Sequence, residues 1–173
     1  MEHHLKSISK NGIPAAILKV QHYRNLNEPE EAESICRDVL AVDPNHQVAL
    51  RLLGMAITDQ FSGEPSDRYR EAQEVLELLT DPYERHYYLG IAHERRAKSQ
   101  LQAGDIPRNL LVVFEAAMKC FEQAEKIRPA DNDESLLRWN RCVRLLQSRP
   151  EFFEEREIRA FEGLDGPLPG TRK

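Results

Sequence analysis

The stretch from Val42 to Gly54, Val-Asp-Pro-Asn-His-Gln-Val-Ala-Leu-Arg-Leu-Leu-Gly, constrains this chain more than any other. It ends one helix, turns at Asp43-Pro44-Asn45 and opens the next. Pro44 cannot donate a backbone hydrogen bond, and it biases Asp43 away from the helical region, so the stop has a physical cause. Leu50, Leu53 and Ile57 then recur at spacings of three and four, one face of a helix. Gly54 sits inside that face, where glycine costs roughly 1 kcal/mol against alanine and marks a close helix–helix contact. The same grammar returns as Asp81-Pro82 followed by Leu89-Gly90. A recurring unit of this kind implies helical repeats.

Read in order, the chain divides at its prolines and glycines. Residues 1–12 read as a flexible lead-in ending at Asn11-Gly12, and a first helix is expected from Ile13 to Leu26. Asn27 and Glu30 are spaced as a capping pair for a second helix that runs to Val42. A third runs from Asn45 to Gln60, and Ser66 or Asp67 is placed to cap a fourth that ends at Leu79. Asp81-Pro82-Tyr83-Glu84 is the clearest start, with an N-cap acid, proline at the first helical position and glutamate at the third. That fifth helix continues to Gln102, and a sixth follows the turn Ala103–Pro107 and stops at Ile127. Asp131 with Glu134, and Ser148 with Glu151, are spaced as caps for a seventh helix to Gln147 and a short acidic one to Phe161. No period-two pattern of a strand survives anywhere. The expected organisation is a helical domain over 13–147, then a short acidic helix and a disordered tail from Gly163 within 148–173.

Leu50-x2-Leu53-Gly54-x2-Ile57, His86-x2-Leu89-Gly90-x2-His93, Ala32-x3-Cys36 with Pro44, and Ala117-x3-Phe121 with Pro129 together resemble the tetratricopeptide repeat, a helix–turn–helix unit of about 34 residues. Ala72-x3-Leu76 with Pro82 follows the pattern with a shorter step, and the first helix has Val20 where the glycine is expected. The resemblance covers about residues 13–130. It implies an all-α fold: a right-handed superhelix of about three helix pairs, stacked because one pair cannot bury its apolar face alone. Glycine and alanine let the helices of a pair approach closely, so Gly54, Ala72, Gly90 and Ala117 should lie at close crossings. Trp139 stands where a fourth repeat would place its glycine, and an indole does not fit there, so the seventh helix reads as a cap.

The spacing from Gly54 to Ala72, and still more from Gly90 to Ala117, is longer than the family's. The third pair should therefore overhang its neighbours by about two turns per helix, roughly 10–12 Å at 1.5 Å per residue. The run Leu110, Leu111, Val112, Val113 and Phe114 is apolar on every side of the overhanging sixth helix, more than one partner helix can cover. It is a candidate interface patch, for a partner or for a homodimer.

The resemblance also implies a peptide- or protein-binding groove lined by the first helix of each pair. Carried over residue by residue, the lining is Arg51, Met55, Thr58 and Asp59, then Glu84, Tyr87, Ile91, Glu94 and Arg95. Tyr87 is the expected anchor, since aromatic side chains dominate binding hot spots. Met55 and Ile91 stand where carboxylate-clamping members carry asparagine, which argues against that specialisation.

Other classes have little to rest on. A net charge of −5 disfavours a nucleic-acid partner. No apolar run approaches the roughly 18 residues of a membrane span, and Met1 to Lys10 has no signal core. Cys36, Cys120 and Cys142 are far apart, odd in number and set in helical apolar patterns, which reads as buried thiols in a cytoplasmic protein. His86 and His93 share a helix face but lack a third ligand, so packing is the expected role and no metal or other cofactor is assigned. Glu30-Glu31 and Glu154-Glu155 read as solvated surface, and no nucleophile or phosphate loop accompanies them, so the chain is not read as an enzyme. The expectation is a binding module or scaffold, with structural self-association as the alternative.

Overall fold

A computed structural model describes residues 3–64 and 68–164, the side chains of 162–164 excepted. The described residues are helical and contain no strand. The helices are α1 (Ile13–Asn25), α2 (Pro29–Val42), α3 (Gln47–Asp59), α4 (Tyr69–Glu77), α5 (Pro82–Gln102), α6 (Pro107–Lys126), α7 (Glu134–Gln147) and α8 (Pro150–Leu164). Each packs on the next along the chain, and α1 also meets α3, α3 meets α5, α5 meets α7, and α6 meets α8.

The paired register rests on size complementarity. A Cβ added to Gly54 would lie 2.5 Å from Leu76 Cδ2, and one added to Gly90 would lie 2.6 Å from Phe121 Cε1. Each glycine of the odd helix therefore faces the large residue of its even partner, with Ala72 and Ala117 fully buried beside them. The first pair divides the volume the other way. Val20 replaces the glycine, Cys36 replaces the large residue, and both are fully buried in one cluster with Ala32. Trp139 is half-buried and packs on the edge of the α5–α6–α7 cluster.

Helix ends are only partly where the sequence places them. Asp81 caps α5 as expected, its Oδ1 accepting from the N–H groups of Tyr83 (2.8 Å) and Glu84 (3.4 Å). Asn27 does not cap α2. It has φ 61° and closes α1, with its own N–H on the Arg24 carbonyl and the Glu28 N–H on the Tyr23 carbonyl, a Schellman ending. Asp131 likewise has φ 62°, and it is Asn132 whose side chain accepts from Glu134 N–H. Ser148 ends α7, its hydroxyl donating to the Leu145 carbonyl at 2.8 Å, rather than capping α8. Ser66 and Asp67 lie outside the described residues, as does the expected tail past residue 164; Gly163 and Leu164 belong to α8. Residues 10–12 form a 3-10 turn and Ile8 packs on Ile13 and Val39, so the described part of the lead-in is seated on the first pair.

The third pair is the longest, 21 and 20 residues against 13 in α1 and α3. Two elements support its extension. The loop after α3 reaches α5, where Gly63 has φ 91° and a Cβ would sit 2.5 Å from the Ser99 carbonyl oxygen; Arg96 Nη1 donates to the Glu64 carbonyl at 3.0 Å. On the other side, α8 lies across α6. Phe152 is buried edge-on against Phe114, with ring centroids 5.9 Å apart, and Arg159 pairs with Glu115 at 3.2 Å.

That arrangement corrects the interface-patch reading. Leu110, Leu111 and Phe114 are at most 1% exposed, and Val113 is half-buried against the same cluster. Only Val112 is exposed, at 51%. The acidic helix supplies the missing cover through Phe152, while the adjacent Phe153 is exposed.

Candidate functional site: the face of the odd-numbered helices

The odd helices meet one another in sequence, and their shared face is laced by ion pairs. Arg24 on α1 donates from Nε to Asp59 Oδ2 of α3 at 2.7 Å, and Arg95 on α5 reaches the other oxygen of the same carboxylate. Arg95 also donates to Thr58 Oγ1 at 2.6 Å and the Met55 carbonyl at 3.3 Å. Arg51 on α3 pairs with Glu84 on α5 at 2.5 Å, and its guanidinium lies 5.6 Å above the Tyr88 ring. Further along, Glu94 on α5 is fully buried between Lys98 and Arg138 of α7, the latter at 3.3 Å. These side chains complement each other's charge and fix the angle at which successive odd helices meet.

The expected groove lining thus divides in two. Arg51, Asp59, Glu84 and Arg95 keep a solvent-facing edge. Met55, Thr58, Tyr87, Ile91 and Glu94 are buried. Tyr87 stacks on Tyr83 with centroids 5.8 Å apart and touches Phe121, so it is core and not an anchor. The physical reason is α7. It packs on α5 along the face that carries Tyr87, Ile91 and Glu94, and Tyr83 donates to Asn132 Oδ1 at 3.1 Å in the loop before it.

The open part of the face lies at the other end, between α1, α3 and α5. A cleft of ≈ 350 Å³ there is bordered by Gln21, Arg24, Asn25, Arg51, Met55 and Tyr88. Gln21 and Asn25 are exposed one helical turn apart, and Tyr88 is half-buried. The sequence comparison carried no residue over from α1, because Val20 breaks the motif there. The polar pair at a four-residue spacing on the same helix was the signal that could have found them.

A second polar cluster ties α2, α3 and α4 together. Glu33, classed with no motif, is 8% exposed and accepts from Arg68 Nη1 and Nη2 (2.8 and 2.7 Å), Arg37 Nε and Nη2 (2.9 and 2.7 Å) and Gln60 Nε2 (2.7 Å). The Arg68 hydrogen bonds above all hold its carboxyl down, from the ordinary 4.5 to about 2. A perturbed carboxylate can mark chemistry, but here both oxygens are saturated by protein donors and the role is to brace the helices. A group with a depressed folded pKa stabilises fully above its unfolded pKa and loses that stabilisation as pH falls through the folded one. Stability should therefore decline between pH 4.5 and about 2. At about 1.4 kcal/mol per unit, discounted because Arg37 and Arg68 are themselves more than a third exposed, the loss from this group is about 2 kcal/mol. Acid titration of the melting temperature should show it, and Glu33→Gln should flatten it.

His93 packs as expected. His93 meets Tyr69, with centroids 5.8 Å apart and Nδ1 against the hydroxyl, and burial lowers its pKa; His86 is half-buried. No group of three metal-binding side chains converges among the described residues. Cys36 and Cys142 are buried and Cys120 half-buried; burial pushes the first two thiols up to about 12. None of the described helices is long and apolar enough to cross a membrane. Compared with protein families, with curated proteins and with solved structures, the chain has no match.

Proposed function

We propose that this chain is a cofactor-free binding scaffold of the tetratricopeptide type, which holds an extended peptide segment of another protein against α1, α3 and α5. The observation that carries this reading is the layering: successive odd helices meet one another, as the inner layer of a right-handed superhelix of helix pairs would. The cleft bordered by Gln21, Asn25 and Arg51 lies on that layer. The side-chain amides of Gln21 and Asn25 make no hydrogen bond to another described residue. Each amide offers two donors and an acceptor, the complement of a peptide backbone. The Tyr88 ring, already stacked under Arg51, supplies the apolar wall.

A displayed library of random peptides, selected against the intact chain, tests this. Binders should recognise the odd face, and Gln21→Ala with Asn25→Ala should weaken them by about tenfold, roughly 1.4 kcal/mol, without moving the melting temperature. Binders that hold the double variant as tightly as the wild type would overturn the assignment.

A further inference from the structure

We infer that the chain forms a two-fold symmetric dimer in which the outward stripe of α7 packs antiparallel on the outward stripe of α8 from a second copy. Along α7 the stripe is Leu137, Arg141 and Arg144, all exposed, Leu137 at 65%. Along α8 it is Glu154, Glu157 and Phe161, also exposed, Phe161 at 69%. None of the two arginines and two glutamates makes an ion pair with another described residue, although most other charges nearby do: Arg138 with Glu94, Arg149 with Glu151, Arg159 with Glu115.

The spacings match in one register only when the helices run in opposite directions. On α7 the steps are four then three; on α8 they are three then four. Setting Leu137 against Phe161 places Arg141 on Glu157 and Arg144 on Glu154 together. Phe153 and Ile158, exposed at 64% and 50%, flank the α8 stripe and would be covered with it. Phe153 and Glu154 line a cleft of ≈ 400 Å³ between α7 and α8, whose α7 wall is Val143, Leu146 and Gln147. A two-fold contact uses every pair twice, so weak exposed ion pairs and modest apolar cover are doubled. The charge pattern selects the occupant: the basic stripe needs an acidic amphipathic helix, and this chain carries one. The contact lies away from the α1–α3–α5 cleft, so either assignment can fail without the other.

Sedimentation equilibrium of the full chain reads the outcome. With rising concentration the apparent mass should climb from 20.0 kDa toward twice that value, and the association should weaken several-fold between about 0.05 and 0.5 M salt. Arg141→Glu with Arg144→Glu should abolish it, as should Glu154→Lys with Glu157→Lys, each keeping the wild-type helical circular dichroism because all four residues are exposed. Mixing the two variants should restore a dimer, since reversed α7 then meets reversed α8 while the second, wild-type contact remains. A wild-type chain that stays at 20.0 kDa throughout, or a mixture that stays monomeric, overturns the inference.

Discussion

Gly90→Leu is expected to destabilise the protein by about 3 kcal/mol, a fall in melting temperature of roughly 6–12 °C for a chain of this size. Even a bare Cβ at this position would stand 2.6 Å from Phe121 Cε1 and 3.0 Å from Cζ. Phe121 cannot retreat: its side chain is 1% exposed and packs on Tyr87. The conflict differs from that at Gly54, where the neighbour is the branched, flexible end of Leu76. The cost should therefore be coupled to one residue. In a Phe121→Ala background the incoming leucine fills the space left by the ring, and the penalty of Gly90→Leu should shrink by more than 1 kcal/mol in a double-mutant cycle, about the range seen for contacting residues. Additive effects would place the helix pair in another register.

The second large effect is at Phe114. It is fully buried, at the centre of the cluster shared by α5, α6, α7 and α8, and in edge contact with Phe152. Phe114→Ala removes a ring from a closed site and should cost about 4 kcal/mol. Phe152→Ala should mimic part of this by releasing α8, which hydrogen exchange would report as lost protection over Pro150–Leu164. Val112→Glu, two residues from Phe114 but facing solvent, should leave the melting temperature within about 0.5 kcal/mol equivalent.

These two sites show what the sequence could and could not reveal. Proline, glycine and apolar spacing located every helix, because backbone chemistry acts locally. The glycine–phenylalanine contact was readable from motif spacing, since volume must be conserved across a close crossing. Asn27 and Asp131 were misassigned as caps for a definite reason. Asn and Asp serve equally as helix N-caps and as left-handed residues that end a preceding helix, and only the geometry shows which helix they belong to. Phe152 and Phe153 are adjacent, and a shift of one position turns the helix by about 100°, so the inward ring could not be chosen from pattern alone.

The groove was half legible for a different reason. Its positions on α3 and α5 were found, but burial of Tyr87, Ile91 and Glu94 depends on where α7 settles, a contact between distant segments, as in the Arg138–Glu94 pair, 44 residues apart. The Glu33 cluster was hidden for the same reason: Arg37 is one turn away on α2, but Arg68, which opens α4, is 35 residues distant.

Hydrogen exchange of the chain with and without a library-selected peptide reads whether the α1–α3–α5 face holds it. New protection should be confined to the α1 segment around Gln21 and Asn25 and the α3 and α5 segments around Arg51 and Tyr88. Protection on α2, α4 and α6 instead, with α1 unchanged, would rule out this face as the binding surface.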